Sequence, residues 1–293
     1  MKTIDTLVED IYALFIKDDV VLSTESATEL GSNISKHVTN RINDNRTGGY
    51  LRLSNLGSPC DRKLWYSINS PDKATPLSAA TRIKFLYGDI LEELLLFLAK
   101  EAGHTVTGQQ DTIEINGVKG HRDAVIDGRV VDVKSASTYS FQKFKEGRLH
   151  EDDAFGYIDQ LNSYLYGSRG DDSVKEKDVA SFLVIDKTLG NICLDTHAAN
   201  GKDYDKLVDE KREVISHPEP PPRAFEPKPY GKSGNLALDT HCSYCPFKYE
   251  CWPEVRTFLY STGPVYLTTV NREPNTSIPE VDSKGEMVDR HKD

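Results

Sequence analysis

Between Gly120 and Lys134 the chain reads Gly-His-Arg-Asp-Ala-Val-Ile-Asp-Gly-Arg-Val-Val-Asp-Val-Lys, and few folds can hold that segment. Two Val/Ile-rich runs flank Asp127-Gly128, a dipeptide suited to a two-residue type I′ hairpin turn. Counting outward from the turn pairs Ile126 with Arg129, Val125 with Val130, Ala124 with Val131, Asp123 with Asp132 and His121 with Lys134. Directly opposed residues bring their Cβ atoms within about 5 Å, where like charges destabilise a sheet. Asp123 and Asp132 therefore call for a compensating cation. A hard divalent ion such as Mg2+ takes carboxylate oxygens while keeping positions for water and phosphate. Lys134, two residues beyond Asp132, falls on the same face. Two acids, a metal and a lysine on one face describe a phosphodiester hydrolysis site. The same local sequence also suits an exposed hairpin whose acids sit in water, with Lys134 as an ordinary ion-pair partner.

At 293 residues, 38% hydrophobic and 28% charged, the chain can bury a sizeable core in one large domain or two small ones. A formal net charge of −10 excludes unspecific wrapping of nucleic acid, which takes clustered Lys and Arg, but allows a local basic groove. The chain starts polar and has no apolar run of about 18 residues, so the expectation is a cytoplasmic protein with no membrane partner.

Ile4, Leu7, Val8, Ile11, Leu14 and Phe15 predict an amphipathic helix over residues 3–17, docked on the body or on a protein partner. A second helix is expected over 24–42 and a loop over 43–49. Pro59-Cys60 leads into a helix that turns Leu64, Trp65 and Ile68 inward. The strongest helix runs from about Ser78 to Ala102, with Ile83, Leu86, Ile90, Leu91, Leu94, Leu95 and Leu98 on its apolar side and Gly103 as its stop. Glu92 and Glu93 interrupt that run, so each either rotates to solvent or is buried against a cation.

Residues 105–115 read as a strand or hairpin. Phe141 and Phe144 alternate with Lys143, Lys145 and Arg148, a pattern of a solvated helix face or of a DNA contact. A helix over 153–166 sets Gln160 and Tyr164 on one face. Residues 179–185 and 191–194 form a second hairpin, with Cys193 assigned to the core. A helix follows over 201–216, then an extended Pro-rich connection from Pro218 to Pro229, and after Tyr260 the chain turns polar.

Cys242, Cys245 and Cys251, with the distant Cys60, supply four thiols, the number that a zinc ion or an iron–sulfur cluster requires. Spacing does not choose between the two, and His241 keeps a mixed zinc set open. Together these residues resemble the RecB-like branch of the PD-(D/E)xK nucleases, specifically the iron–sulfur members among CRISPR-associated exonucleases, AddB-type nuclease domains and phage exonucleases. The matched motifs are Cys60 before the core and C-x2-C-x5-C after it; Gly88 with Glu92; Asp123, Asp132 and Lys134; and Gln160 with Tyr164. They occur in the family's order over roughly residues 53–255, and the first 45 and last 30 residues lie outside the resemblance. Glu92 stands where the CRISPR-associated and RecB members usually carry His, whereas lambda-type exonucleases use an acid.

The resemblance implies an α/β, restriction-endonuclease-like core, a central mixed sheet flanked by helices, with an iron–sulfur clamp joining its N- and C-terminal parts. On that reading residues 1–45 are a helical extension, 46–260 the nuclease domain with its cysteine cluster, and 261–293 a polar, mobile tail. It implies a Mg2+- or Mn2+-dependent DNA exonuclease acting at single-stranded ends in recombination, replication or DNA degradation, in a host cytoplasm if phage-encoded. Glu92, Asp123, Asp132 and the carbonyl of Val133 are the implied metal ligands. Lys134 orients the attacking water, Gln160 and Tyr164 position the DNA backbone, and Cys60, Cys242, Cys245 and Cys251 hold a 4Fe–4S cluster, with structural zinc as the alternative. A DNA-binding adaptor that keeps fold and cluster without catalysis is the competing expectation.

Overall fold

A computed structural model of the chain describes residues 2–18, 20–44 and 49–290. Its helices are α1 (Leu7–Ile16), α2 (Thr24–Ile42), α3 (Leu53–Leu56), α4 (Asp61–Asn69), α5 (Ala79–Glu101), α6 (Thr138–Lys145), α7 (Tyr157–Gly167), α8 (Tyr204–Ser216), α9 (Thr240–Ser243) and α10 (Lys248–Cys251). Its strands are β1 (Val106–Thr107), β2 (Thr112–Ile115), β3 (Val118–His121), β4 (Ala124–Ile126), β5 (Arg129–Ala136), β6 (Val179–Asp186), β7 (Ile192–Ala198), β8 (Lys228–Tyr230), β9 (Asn235–Ala237), β10 (Arg256–Tyr260), β11 (Gly263–Thr269) and β12 (Glu280–Val281). Most of the loop expected over 43–49 lies outside the described residues. The fold is mixed α/β and divides into two compact units. The first takes the N-terminal residues with Leu51–Gly57 and Ser78–Glu210; the second takes Ser58–Leu77 and the chain from Lys211 onward.

In the first unit a five-stranded mixed sheet runs in the order β1-β4-β5-β6-β7, with β5 and β6 parallel and the other pairs antiparallel. Strand alternation sends Val125, Val130, Phe182 and Val184 to one face, where Phe141 and Phe144 of α6 and Leu161 and Leu165 of α7 cover them. Ala124, Ile126, Val131, Val133 and Leu183 point to the other face, under Leu95, Leu96 and Ala99 of α5 and Leu7 and Ile11 of α1. The central strands are thus buried on both sides, which is why their sequences read as almost unbroken Val/Ile/Leu runs. The N-terminal helix docks on this body, although Phe15 and Ile16 at its end remain exposed.

Ser23, Ser78 and Ser137 cap α2, α5 and α6, each accepting a backbone N–H at the third residue beyond it. Helix α2 buries none of its described residues and is held to α5 by polar contacts instead: Arg41 with Asp89, and Asn33 and His37 with Glu93. The apolar stripe expected along α5 is buried only in its second half. Ile83, Phe85 and Tyr87 in the first half are exposed, and among the described residues no core cluster takes in that stretch. Of the aromatic and basic residues of 137–148, Phe141 and Phe144 enter the core, while Lys143 and Arg148 pair with Asp152 and Glu146.

The second unit carries an antiparallel sheet ordered β12-β10-β11-β9-β8 and a small core of Trp65, Tyr66, Cys245 and Phe247. Segment 58–77 joins the C-terminal segment inside this unit. The Trp65 indole donates to the His217 carbonyl at 2.8 Å, Thr75 N–H to the Pro246 carbonyl at 2.8 Å, and the Tyr66 and Phe247 rings stack at 5.4 Å. Residues expected to form a polar tail after 260 form β11 and β12, since Phe258 and Leu267 are fully buried and Thr257 pairs with Val281. Among the described residues no helix is long and apolar enough to cross a membrane.

Candidate active site

The β4–β5 hairpin turns at Asp127 (φ 51°) and Gly128 (φ 91°), both left-handed as a type I′ turn requires, and pairs Ile126 with Arg129, Val125 with Val130 and Ala124 with Val131. There the expected ladder ends. His121 pairs with Thr112 in the β2–β3 hairpin rather than opposite Lys134. Asp123 lies outside the strand and its carboxylate accepts the Val133 N–H at 2.7 Å, so the side chain replaces a ladder carbonyl and the two aspartates are not a strand pair. The two aspartates remain within electrostatic reach of each other, joined by Glu92.

Asp132, 1% exposed, forms an ion pair with Lys134, and its Oδ1 lies 3.4 Å from the donating Gln160 amide. The same amide donates to Tyr164 Oη at 3.1 Å. Tyr164 is buried, and burial raises its phenol pKa. Two glycine positions set this wall. A Cβ at Gly120 would stand 2.7 Å from Leu53 Cβ and 3.0 Å from the Tyr164 ring. A Cβ at Gly156, just before α7, would meet the Gly57 carbonyl at 2.0 Å, and its φ of 73° also favours glycine.

From α5, Glu92 joins the aspartates, and its Oε1 accepts the Gln110 amide at 2.6 Å. Glu93, next in sequence, turns instead to Asn33 and His37 at 3.0 and 3.1 Å, so only one of the two glutamates serves the site. Burial, with Asp132 and Glu93 adding repulsion, pushes Glu92 up to about 7. Burial, then Asp132 and Glu92, holds Asp123 well above the usual carboxylate range. For Lys134, burial pulls downward but Asp132 and Asp123 outweigh it and keep the ammonium charged. Its Nζ also lies 4.8 Å from the centre of the Tyr157 ring.

The structure thus brings together Glu92, Asp123, Asp132, Lys134, Gln160 and Tyr164 and adds two residues that sequence reasoning missed. Gln110 sits at a left-handed φ of 56°, and nothing in the pattern around it signals a role; Tyr157 opens α7 and stacks on Phe155 at 5.3 Å. Of Val133, the N–H is engaged with Asp123.

Cys60, Cys242, Cys245 and Cys251 line one cavity in the second unit, with His241, Lys63 and Trp252. Cys60 is the N-cap of α4, its sulfur accepting the Lys63 N–H at 3.4 Å. Burial, with Cys245, Cys60 and Cys251 nearby, pushes the Cys242 thiol up to about 12; burial likewise pushes Cys245 to about 11. His241 turns Nδ1 to Asp239 at 2.6 Å and stacks on Phe225 at 4.0 Å. Cys193 lies in β7 opposite Val184, packed against the core. Among the described residues no three His, Cys, Asp or Glu side chains stand ready-made around a metal position. As they stand, Lys134 takes one oxygen of Asp132, Val133 N–H one of Asp123 and Gln110 one of Glu92.

No protein-family model and no curated protein matches the chain. Among solved structures it is similar to one described as "Crystal structure of SSO0001", with 14% identity and a TM-score of 0.42 over 75% of this chain and 95% of that one.

Proposed function

We propose that the chain is a divalent-cation-dependent nuclease of the RecB-like type, on a restriction-endonuclease-like core, that hydrolyses DNA phosphodiester bonds from single-stranded ends. One observation carries the reading: three carboxylates, Glu92, Asp123 and Asp132, share a buried site with one ammonium, Lys134, so that once all three ionise two negative charges remain for a cation to balance, and without one Glu92 and Asp123 are driven to hold protons. Hard carboxylate oxygens suit Mg2+ or Mn2+. Glu92, Asp123 and Asp132 would hold the ion, with the Val133 carbonyl as the backbone ligand implied by the resemblance. A bound divalent ion supplies an activated water and neutralises charge at phosphorus. Lys134, fixed by Asp132 and Tyr157, holds a positive charge where the phosphate arrives. Gln160 and Tyr164, already hydrogen-bonded to each other, orient the DNA backbone beside Asp132.

The four cysteines of the second unit fit a 4Fe–4S cluster, with structural zinc as the alternative, because they present four thiols to one cavity. The test of function is incubation of the full chain with end-labelled single-stranded DNA and Mg2+ or Mn2+, with and without chelator. Chelator-sensitive release of nucleotides is the expected result. Binding without release under both metals contradicts it and favours an adaptor.

A further inference from the structure

At the tip of the β8–β9 hairpin, within the second unit, lies a cleft of about 440 Å³. That volume falls within the range of small-ligand sites, a few hundred to about a thousand Å³. Tyr230 and Tyr260 line it together with Lys232 and Arg272. The two rings lie 6.2 Å apart and are tilted by 58°, so they are not stacked in parallel on one another. Glu273 also lines the cleft, but both its oxygens are taken by Arg256, at 2.6 and 3.1 Å. Neither Lys232 nor Arg272 is in an ion pair among the described residues. In a chain with a net charge of −10, this places two uncompensated cations beside two aromatic rings.

The walls are held in place. Asn235, 3% exposed, accepts the backbone N–H groups of Asn271 and Arg272 at 2.8 Å each and donates to the Arg272 carbonyl at 2.8 Å. The Ser233 hydroxyl donates to the Tyr230 carbonyl at 3.0 Å and accepts the Asn235 N–H at 3.2 Å. A buried amide that spends its bonds on the backbone beside an exposed arginine fixes where that arginine starts, which is how a binding surface is preorganised.

We propose that this cleft binds single-stranded DNA, with bases stacked on Tyr230 and Tyr260 and phosphates on Lys232 and Arg272. Stacking accepts any base, since each has a π face, and the cations follow the backbone without reading sequence. A duplex is refused because its base faces are already stacked on one another. The choice of DNA as the strand rests on the nuclease reading, but the cleft shares no residue with the acid–lysine site.

The test is fluorescence anisotropy of a labelled oligothymidylate with the full chain in chelator, across a range of salt. It compares wild type with the pairs Tyr230→Ala/Tyr260→Ala, Tyr230→Phe/Tyr260→Phe and Lys232→Ala/Arg272→Ala. Each protein is also assayed with Mn2+ on thymidine 5′-monophosphate p-nitrophenyl ester, a substrate too small to need the cleft. The alanine pair of tyrosines should weaken oligonucleotide binding roughly tenfold or more, and the phenylalanine pair should restore it. The Lys232/Arg272 pair should flatten the salt dependence by about 1.4 in log–log slope, two contacts at about 0.7 each. Ester turnover should not change. Unaltered affinity in the folded alanine pair overturns the proposal; if that pair does not fold, an unaltered affinity and salt slope in the Lys232/Arg272 pair does so. The expected binding pattern with no release of nucleotides from end-labelled single-stranded DNA in Mg2+ or Mn2+, even by wild type, would keep the cleft and reject the nuclease.

Discussion

The acid–lysine site and the cysteine cavity both gather groups that other proteins use to hold metals, yet they are built in opposite ways. Asp132 and Lys134 project from β5, a strand paired with β6 from Val130 to Ala136, held on its other edge by β4 and then by the Asp123 carboxylate, and covered by cores on both faces, so the strand stays in place whatever those two side chains are. Cys245 belongs to the core of its unit, packed with Trp65, Tyr66 and Phe247, and Cys242 and Cys251 sit on four-residue helical turns. Such turns are too short to be stable alone. In the first unit the fold carries the site; in the second the site helps carry the fold.

Substitutions should separate the two. Asp132→Asn should cut cleavage at least about a thousandfold, equivalent to roughly 4 kcal/mol of lost transition-state stabilisation, with a near-native melting temperature. Single-turnover assays and calorimetry on the same preparation measure both quantities. Cys245→Ser should do the reverse to stability: proteolysis between 218 and 229 should speed up and the protein should lose solubility. Anaerobically prepared wild type should be brown and this variant colourless, while Cys193→Ser keeps its colour. A colourless wild type with one zinc per chain would make the cysteine site a structural zinc centre. Gln160→Ala should lower kcat/KM roughly ten- to a hundredfold through lost orientation, with Mn2+ affinity unchanged. A loss of Mn2+ affinity would place Gln160 with the metal rather than the DNA.

Much of the first unit was legible because its signals are local. The Asp127-Gly128 turn and the Val/Ile-rich runs on either side of it each act within a few residues, and the register from Ala124 to Val131 follows from them. Asp123 was misplaced by one ladder position because its carboxylate, not its backbone, meets β5, a choice that only the packed strand end decides. Gln110 and Tyr157 were not legible at all: each reaches the site from a loop or helix end whose approach depends on tertiary packing. Strands β11 and β12 were not legible because β11 opens on Gly263-Pro264, which reads as a turn, and β12 is two residues long in a stretch rich in proline and charge.

Gly120→Ala sharpens the contrast with a smaller effect. The added methyl meets Leu53 and Tyr164 and should cost about 1–3 kcal/mol by overpacking, with cleavage reduced through the displaced tyrosine. The mildest effect is on pH. Folding raises Glu92 from 4.5 to about 7 and Asp123 in the same direction, so the folded protein binds more protons than the unfolded chain in that interval. The melting temperature of chelator-treated protein should therefore fall as pH rises from about 4.5 to 7, and saturating Mn2+ should flatten the slope. Asp171 and Asp239, held down to about 2, contribute stability that is lost only below pH 4, a separate window.

The most direct measurement is calorimetric titration of Mn2+ into wild type and Asp132→Asn at pH 6.5, in two buffers of different ionisation heat. Wild type should bind the ion and release protons, as Glu92 and Asp123 give theirs up, and the variant should bind far more weakly. Equal isotherms for the two proteins, or binding without proton release, would contradict the claim that these buried acids hold the catalytic cation.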